Sequence, residues 1–219
     1  MFKVKVTHIY HSGYLVELEK TVLIFDWYKG DLPEFDRNKE IYVFVSHRHG
    51  DHYGECIWDL KKLHDVRYIL DQNVPARKGA QVTRVTHGCE YSVGNITVRT
   101  FFSTDEGVAF LVMAEDKKIY HAGDLNLWYW NGEPDEDNEW QQKTYCAEID
   151  KLAEVLSGSR LDAAMVTFDP RLEDHIADGI NYFESRIASD SIYLMHYWDD
   201  EKTVKESLHL IDDLGPVRL

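Results

Sequence analysis

The chain predicts a mixed α+β domain, and three observations predict it. Its first half is built of short alternating or apolar runs bounded by turn residues, which is how strands read. In its second half, apolar runs alternate with stretches of helical spacing. Three of the apolar runs end in residues that can hold a metal. Residues 41–45 lead into Ser46-His47-Arg48-His49-Gly50-Asp51-His52, residues 119–121 into Ala122-Gly123-Asp124, and residues 191–195 into His196.

Phe2, Val4, Val6, His8 and Tyr10 alternate with Lys3, Lys5 and Thr7, so the chain opens as a strand with one buried face. His11-Ser12-Gly13 turns it. Residues 14–18 and 21–25 read as two more strands joined at Glu19-Lys20, and Asp26 ends the second of these. Residues 29–39 are polar, hold Gly30 and Pro33, and read as a loop. Residues 41–45 are β-branched and aromatic without interruption, the pattern of a strand buried on both faces. Ile57, Leu60 and Leu63 then predict a helix over residues 53–64, behind the histidine-rich loop. Residues 66–70, 81–86 and 96–102 are expected strands, with a turn at Gly94-Asn95. Residues 108–114 and 118–121 form a hairpin through Glu115-Asp116-Lys117. The acidic stretch 131–138 reads as a loop or lid. Helices follow at 140–156, at 172–188 with a weak point at Gly179, and at 202–214, stopped by Gly215-Pro216. Strands are expected at 161–168 and 191–195. No repeat or linker interrupts the pattern, so residues 1–219 read as one domain.

Composition narrows the function classes. No apolar run approaches the ~20 residues that span a bilayer. The opening Met1-Phe2-Lys3-Val4-Lys5-Val6 alternates like a strand and lacks a signal-peptide core. Cys56, Cys89 and Cys146 are odd in number and widely spaced, which fits unpaired thiols in a reducing cytoplasm. The net charge is −15 and the longest charge cluster is acidic, which disfavours nucleic acid as a partner. A small-molecule substrate is the expectation that remains.

The first strand-end cluster carries the chemistry. His47 and His49 lie two residues apart, so on extended chain they share a side, and Gly50 lets the loop turn. Asp51 and His52 then approach from another direction. Imidazoles with carboxylates suit one or two divalent ions, zinc first, with manganese or iron as alternatives.

His-x-His-x-Asp-His directly after a strand resembles the signature of the metallo-β-lactamase superfamily. The resemblance implies a four-layer αββα sandwich and a metal-dependent hydrolase, nearer the lactonase-like and uncharacterised branch than antibiotic-degrading members. It implies that Gly123-Asp124 supplies the bridging carboxylate and that His196 is the last ligand; His121, pointing away from its strand neighbours, reads as a supporting or packing histidine. One ion would then have His47, His49 and Asp124, and the other Asp51, His52, Asp124 and His196. One family ligand is missing. A histidine usually stands between the first motif and Gly-Asp, and here Phe102 or Ser103 takes its place within Phe101-Phe102-Ser103-Thr104-Asp105-Glu106-Gly107. Asp105, or His87 with Cys89, are the candidate substitutes.

A metal-bound water ionises near pH ~7, so hydroxide is available to attack an ester, lactone, amide or phosphodiester. Asp51 is placed to orient that water or take its proton. His11, after the first strand, is either a substrate contact or a turn histidine, and Arg171 in Asp169-Pro170-Arg171 either binds an anionic substrate group or pairs with Asp169. The aromatic segment 125–130 either walls the pocket or packs in the core. The missing histidine supports a second reading, a non-catalytic metal-binding or regulatory protein. A redox di-iron protein is a third.

Overall fold

The strand pattern resolves into a six-stranded and a seven-stranded sheet in a computed structural model that describes residues 3–63 and 66–218. Phe2 and His64, at the ends of two expected elements, lie outside the described residues. The first sheet runs in chain order: β1 (Lys5–Tyr10), β2 (Gly13–Glu17), β3 (Thr21–Phe25), β4 (Glu40–Val45), β5 (Val66–Asp71) and β6 (Gln81–Val85). Its first three strands are antiparallel, and β3 to β6 are parallel. The second sheet holds β7 (Glu90–Val93), β8 (Ile96–Phe102), β9 (Val108–Ala114), β10 (Lys117–His121), β11 (Ala163–Thr167), β12 (Ile192–Met195) and β13 (Val217–Arg218). Here β7 to β10 are antiparallel and β10 to β13 parallel. The edge strands β7 and β13 have four and two residues, too short for alternation to register in the sequence.

Period-two alternation sorts each strand between two cores. From β4, Tyr42 and Phe44 face the second sheet, where Phe44 meets Phe110, while Ile41, Val43 and Val45 face outward. Burial on both faces explains the unbroken apolar run. The outer core of the first sheet is closed by Ile57, Trp58 and Leu60. The outer face of the second sheet is closed by α1 (Asp135–Leu156) through Tyr145, Ile149 and Leu152, and by α2 (Asp178–Arg186) through Ile180 and Phe183. Four layers result, with one outer layer thinner than an α-helix makes it.

Several expectations need correction. The segment behind the histidine loop is a 3₁₀ helix, Glu55–Lys62, not an α-helix. Its apolar residues recur every third position, from Ile57 to Leu60 to Leu63, which is the 3₁₀ repeat. The acidic run is no lid beyond residue 134. Asp135, Glu136 and Asp137 form the first turn of α1, where the helix dipole favours anions, and Asn138 is buried against the Trp130 backbone. The expected 172–188 helix is two pieces, a 3₁₀ helix Pro170–His175 and α2. The chain breaks at Glu173 (φ 54°), not at Gly179, which lies inside α2. Gly179 is needed for close approach, since a Cβ there would stand 2.2 Å from Asn126 Oδ1. The last helix is short, α3 (Glu201–Ser207) followed by a 3₁₀ turn Leu208–Leu210.

The parallel strands converge on one edge. Asp26 follows β3, Ser46 and His47 follow β4, Asp124 lies just past β10, Asp169 just past β11, and His196 follows β12. Phe25 pairs with Phe44, and Thr167 with Met195, so these strand ends are level. Two glycines let the sheets meet there. Val108 N donates to Ser46 O at 3.1 Å, and Gly107 (φ +78°) has no room for a side chain, since a Cβ would lie 2.0 Å from that oxygen. Gly123 (φ +55°) faces Ser46 from the other side, with a Cβ position 2.9 Å from Ser46 Cβ.

Gly88 has a similar φ of +72° but open space around it, so Gly88→Ala carries the backbone strain without the clash. Gly107→Ala is expected to cost at least ~2 kcal/mol more than Gly88→Ala in denaturant unfolding. Equal losses would mean that the Ser46 contact does not constrain the strand end.

Candidate metal centre

Each buried imidazole is aimed by a hydrogen bond on its far nitrogen. Asp26, fully buried at a positive φ of 42°, accepts from Ser46 N (2.8 Å), Ser46 Oγ (2.6 Å) and His52 Nδ1 (2.8 Å). The Ser46 hydroxyl hydrogen is thus spent on Asp26, so its oxygen accepts from His47 Nδ1 at 3.0 Å. Asp169 Oδ2 accepts from His196 Nδ1 at 2.9 Å. In all three rings Nδ1 is committed to an oxygen, which leaves Nε2 as the nitrogen whose lone pair a metal would take.

Those lone pairs converge on Asp124. Its Oδ2 lies 3.3 Å from His47 Nε2, and its Oδ1 lies 3.0 Å from His52 Nε2 and 3.2 Å from His196 Nε2. His47 Nε2, His52 Nε2 and Asp124 Oδ1 are buried and carry no hydrogen bond. Buried polar atoms without partners are rare, and donors around one tetrahedral zinc stand about 3.4 Å apart. The residues therefore fit a divalent cation, with one Asp124 oxygen turned to each side.

The field is arranged for a cation. Burial favours a neutral Asp124, yet His52 and His196 hold its carboxyl well below the usual range. Burial likewise opposes charge on His52, but Asp124 and Asp26 outweigh it and raise that imidazole well above its usual value. At His47 burial and the His52 charge outweigh the same two carboxylates, and push it down to about 4.

Groups within 4.8 Å bring together His47, His52 and Asp124; His47, His49 and Asp51; and His11, Asp51, His52 and His196. All six expected ligands are thus gathered at one edge, and His11 joins them. His49 is the loosest. Its side chain is 47% exposed and its Nε2 lies 2.6 Å from Glu106 Oε2, a partner the sequence reading passed over. The loop turn is closed by His52 N and Tyr53 N donating to His49 O, and Gly50 sits in open space without a positive φ, so the turn does not depend on it. The resemblance expects a histidine at Phe102 or Ser103, and the candidate donor groups among the described residues include none of the substitutes Asp105, His87 or Cys89. Arg171, its side chain 52% exposed, pairs through its guanidinium with Asp169, and the same guanidinium lies over the rings of Trp130 and Trp198. His121 donates from Nε2 to Ser12 O and accepts from Gly123 N, so it holds backbone in place. Trp128 packs against His196 and donates to Asp124 O at 3.0 Å, which makes it part of the site wall.

No protein-family model matches the chain. Solved structures match along almost all of it. YhfI, a metallo-β-lactamase fold protein from Bacillus subtilis, superposes at TM-score 0.57 with 14% identity over 99% of this chain and 95% of that one. Igni18, a metallo hydrolase from Ignicoccus hospitalis, does so at TM-score 0.62 with 17% identity over 99% and 94%. The chain has the metallo-β-lactamase fold. CmlA, a diiron β-hydroxylase from Streptomyces venezuelae, matches equally well at TM-score 0.63, with 15% identity over 99% of this chain and 53% of that one. The fold alone therefore does not select hydrolysis over oxygen chemistry. In sequence, the chain is 30% identical over 139 residues to a UPF0173 metal-dependent hydrolase of Korarchaeum cryptofilum, covering 58% of this chain and 62% of that one. It is 27% identical over 148 residues to another from Opitutus terrae, covering 56% and 63%. The match thus spans less than two thirds of these relatives.

Within this metallo-β-lactamase fold, Asp26 and Asp169 aim rings of the candidate site, a placement that sequence reasoning missed. Asp26 was visible only as the residue ending a strand, and Asp169 only as a pairing partner for Arg171. Asp26→Asn keeps an acceptor for Ser46 N but replaces the oxygen that aims His52. It is expected to lower zinc affinity about 10–100-fold with the fold retained, as read by chelator competition beside circular dichroism. Unchanged affinity would remove Asp26 from the site.

Proposed function

We propose that the chain is a metal-dependent hydrolase of a small molecule, acting on an ester, lactone or phosphodiester, with zinc as the preferred ion and manganese or iron as alternatives. The observation that carries this is the Asp124 carboxylate with one oxygen toward His47 and the other toward His52 and His196. The names of the metal-dependent hydrolase relatives support it. A bound divalent ion supplies Lewis acidity, making water acidic and polarising the electrophile.

The residues supply the rest. His47, His52, His196 and Asp124 would hold the metal, with His49 and Asp51 beside them. Asp26, Ser46 and Asp169 fix the ring orientations, so no reorganisation is needed when substrate arrives. Asp51 is 36% exposed at the open side of the cluster. Contact with the His11 ring, reinforced by His52, holds its carboxyl below the usual range, so it stays ionised and able to orient a water by accepting its hydrogen bond. Trp128 and Trp130, stacked in parallel at 5.9 Å, wall the side beside His196 and exclude solvent there. Arg171 stands at the rim as the contact for an anionic substrate group. The net charge of −15 fits a small-molecule substrate rather than nucleic acid. The three free cysteines fit a cytoplasmic protein, and no helix among the described residues is long and apolar enough to cross a membrane.

Metal loading is expected to be unequal. His49 is turned to Glu106 and no histidine stands at Phe102 or Ser103, so titration after chelation should find one tight ion and a second at least ~10-fold weaker. Two equivalent tight ions would reveal a ligand not counted here. The same observation favours the second reading, a metal-binding protein without turnover.

Turnover decides between them. A screen of ester, lactone and phosphodiester substrates with zinc, manganese or iron should give activity, and Asp124→Asn should lower it at least ~100-fold while His121→Ala costs far less. A metal-loaded protein inactive on every class would transfer the weight to the binding reading. Full activity in both variants would place the site elsewhere.

A further inference from the structure

His11 lies among the candidate ligands but differs from them in one respect. His47, His52 and His196 each donate from Nδ1 to an oxygen. His11 Nδ1 instead accepts a hydrogen bond from Trp198 N, at 3.3 Å. A backbone N–H has no lone pair to offer, so a neutral His11 must carry its hydrogen on Nε2. That nitrogen is buried without a hydrogen-bond partner, 3.6 Å from Asp51 Oδ2 and close to His52 and His196. A metal bond at Nε2 would force the hydrogen onto Nδ1, directly against the Trp198 N–H.

The ring is not free to turn and swap its nitrogens. It stacks on Trp198 with centroids 4.2 Å apart, meets Tyr28 edge-on at 6.3 Å, and lies 4.2 Å from the His196 ring. Its carbonyl accepts from His196 N at 3.2 Å and from the His8 ring at 3.1 Å. Its backbone sits at φ 55°, and His196 and Trp198 also have positive φ, at 72° and 46°. Non-glycine residues persist there only where surrounding contacts hold them, and such positions gather at functional sites.

Resting on the hydrolase reading, we propose that His11 is a neutral hydrogen-bond donor, not a metal ligand, and that its Nε2–H binds the substrate oxygen that gains negative charge. The proton stays on His11 throughout, so no acid or base partner is required for it. A fixed donor aimed where charge develops is the arrangement that stabilises an oxyanion. Asp51, across the same opening, takes the opposite role of acceptor. The pair gives the site a polarity: donor from the first sheet's β1–β2 turn, acceptor from the loop after β4.

Nitrogen-15 NMR of histidine side chains reads this directly in the wild-type protein, with the His11 signals assigned from His11→Gln. We expect the Nε2–H form at His11 with and without zinc, against Nδ1–H forms with zinc on Nε2 at His47, His52 and His196. An Nδ1–H form at His11 in the zinc-loaded protein overturns the proposal. Zinc affinity by chelator competition should fall less than ~10-fold in His11→Gln and His11→Phe, and ~100-fold or more in His52→Gln. Losses as large in both His11 variants as in His52→Gln would make His11 a ligand. Inorganic phosphate serves as the oxyanion probe for the zinc-loaded protein in calorimetry. Its affinity should fall about 10-fold or more in His11→Phe and less in His11→Gln, which keeps an N–H donor. Phosphate binding in a folded His11→Phe equal to the wild type overturns the donor role, and if that variant does not fold, the NMR arm decides. None of these readings needs turnover. An inactive protein with the expected His11 signals would sink only the hydrolase reading, and an active one with zinc on His11 only this inference.

Discussion

The structure turns on the buried carboxylate of Asp26. It sits in a strained conformation at the end of β3 and accepts three hydrogen bonds, two from Ser46 and one from His52. A charge buried there without partners would be costly. With them, it joins the ends of two parallel strands and aims a metal-binding ring. Ser46 passes the constraint on, because its hydroxyl, committed to Asp26, can only accept from His47. One carboxylate thereby sets the hydrogen positions of two imidazoles on the same loop. Gly107 and Gly123 exist to let the second sheet close on that node.

The second sheet repeats the device. Asp169 sits past β11 and aims His196 past β12, and Arg171 supplies the opposite charge on its outer side. Asp124 then stands between the two assemblies, with Oδ2 toward His47 of the first and Oδ1 shared by His52 of the first and His196 of the second. The sandwich matters because it brings two sets of parallel strand ends face to face. Neither sheet holds a complete donor set by itself. Mutating a ligand removes one donor, whereas disturbing the sheet-to-sheet contact at Ser46 misplaces several.

Much of this was legible in the chain. The unbroken run before His47 announced a strand buried on both faces, and the strand-end histidines and aspartates announced a metal site. The resemblance supplied the layer order. What the sequence did not reveal was the orienting residues. Asp26 and Asp169 look like any aspartate that ends a strand, and only the register of β3 with β4 and of β11 with β12 puts them behind the right rings. Glu106 was hidden beside Asp105, since which of two adjacent carboxylates reaches His49 depends on the path of a loop. Helix ends and types failed for local reasons. An apolar repeat of three residues makes a 3₁₀ helix, and an acidic run before a helix reads as loop although the dipole places it in the first turn.

Proximity alone would make His11 a ligand and would fill the gap left by the missing histidine. Hydrogen-bond bookkeeping separates the two cases. The gap lies on the side of His47 and His49, whereas His11 stands with Asp51, His52 and His196, so it cannot restore the depleted position. It also presents a hydrogen where a ligand presents a lone pair. The same test sets His121 apart, whose Nδ1 accepts from Gly123 N and whose Nε2–H is spent on Ser12 O. Five buried imidazoles within one edge of the sandwich thus divide by which nitrogen holds the hydrogen. Three are turned to a cation, one is used up on backbone, and one is left with a free donor. A fold that spends two buried aspartates to set hydrogen positions in the first three, and one backbone amide each on the fourth and fifth, has specified protonation as closely as it has specified position.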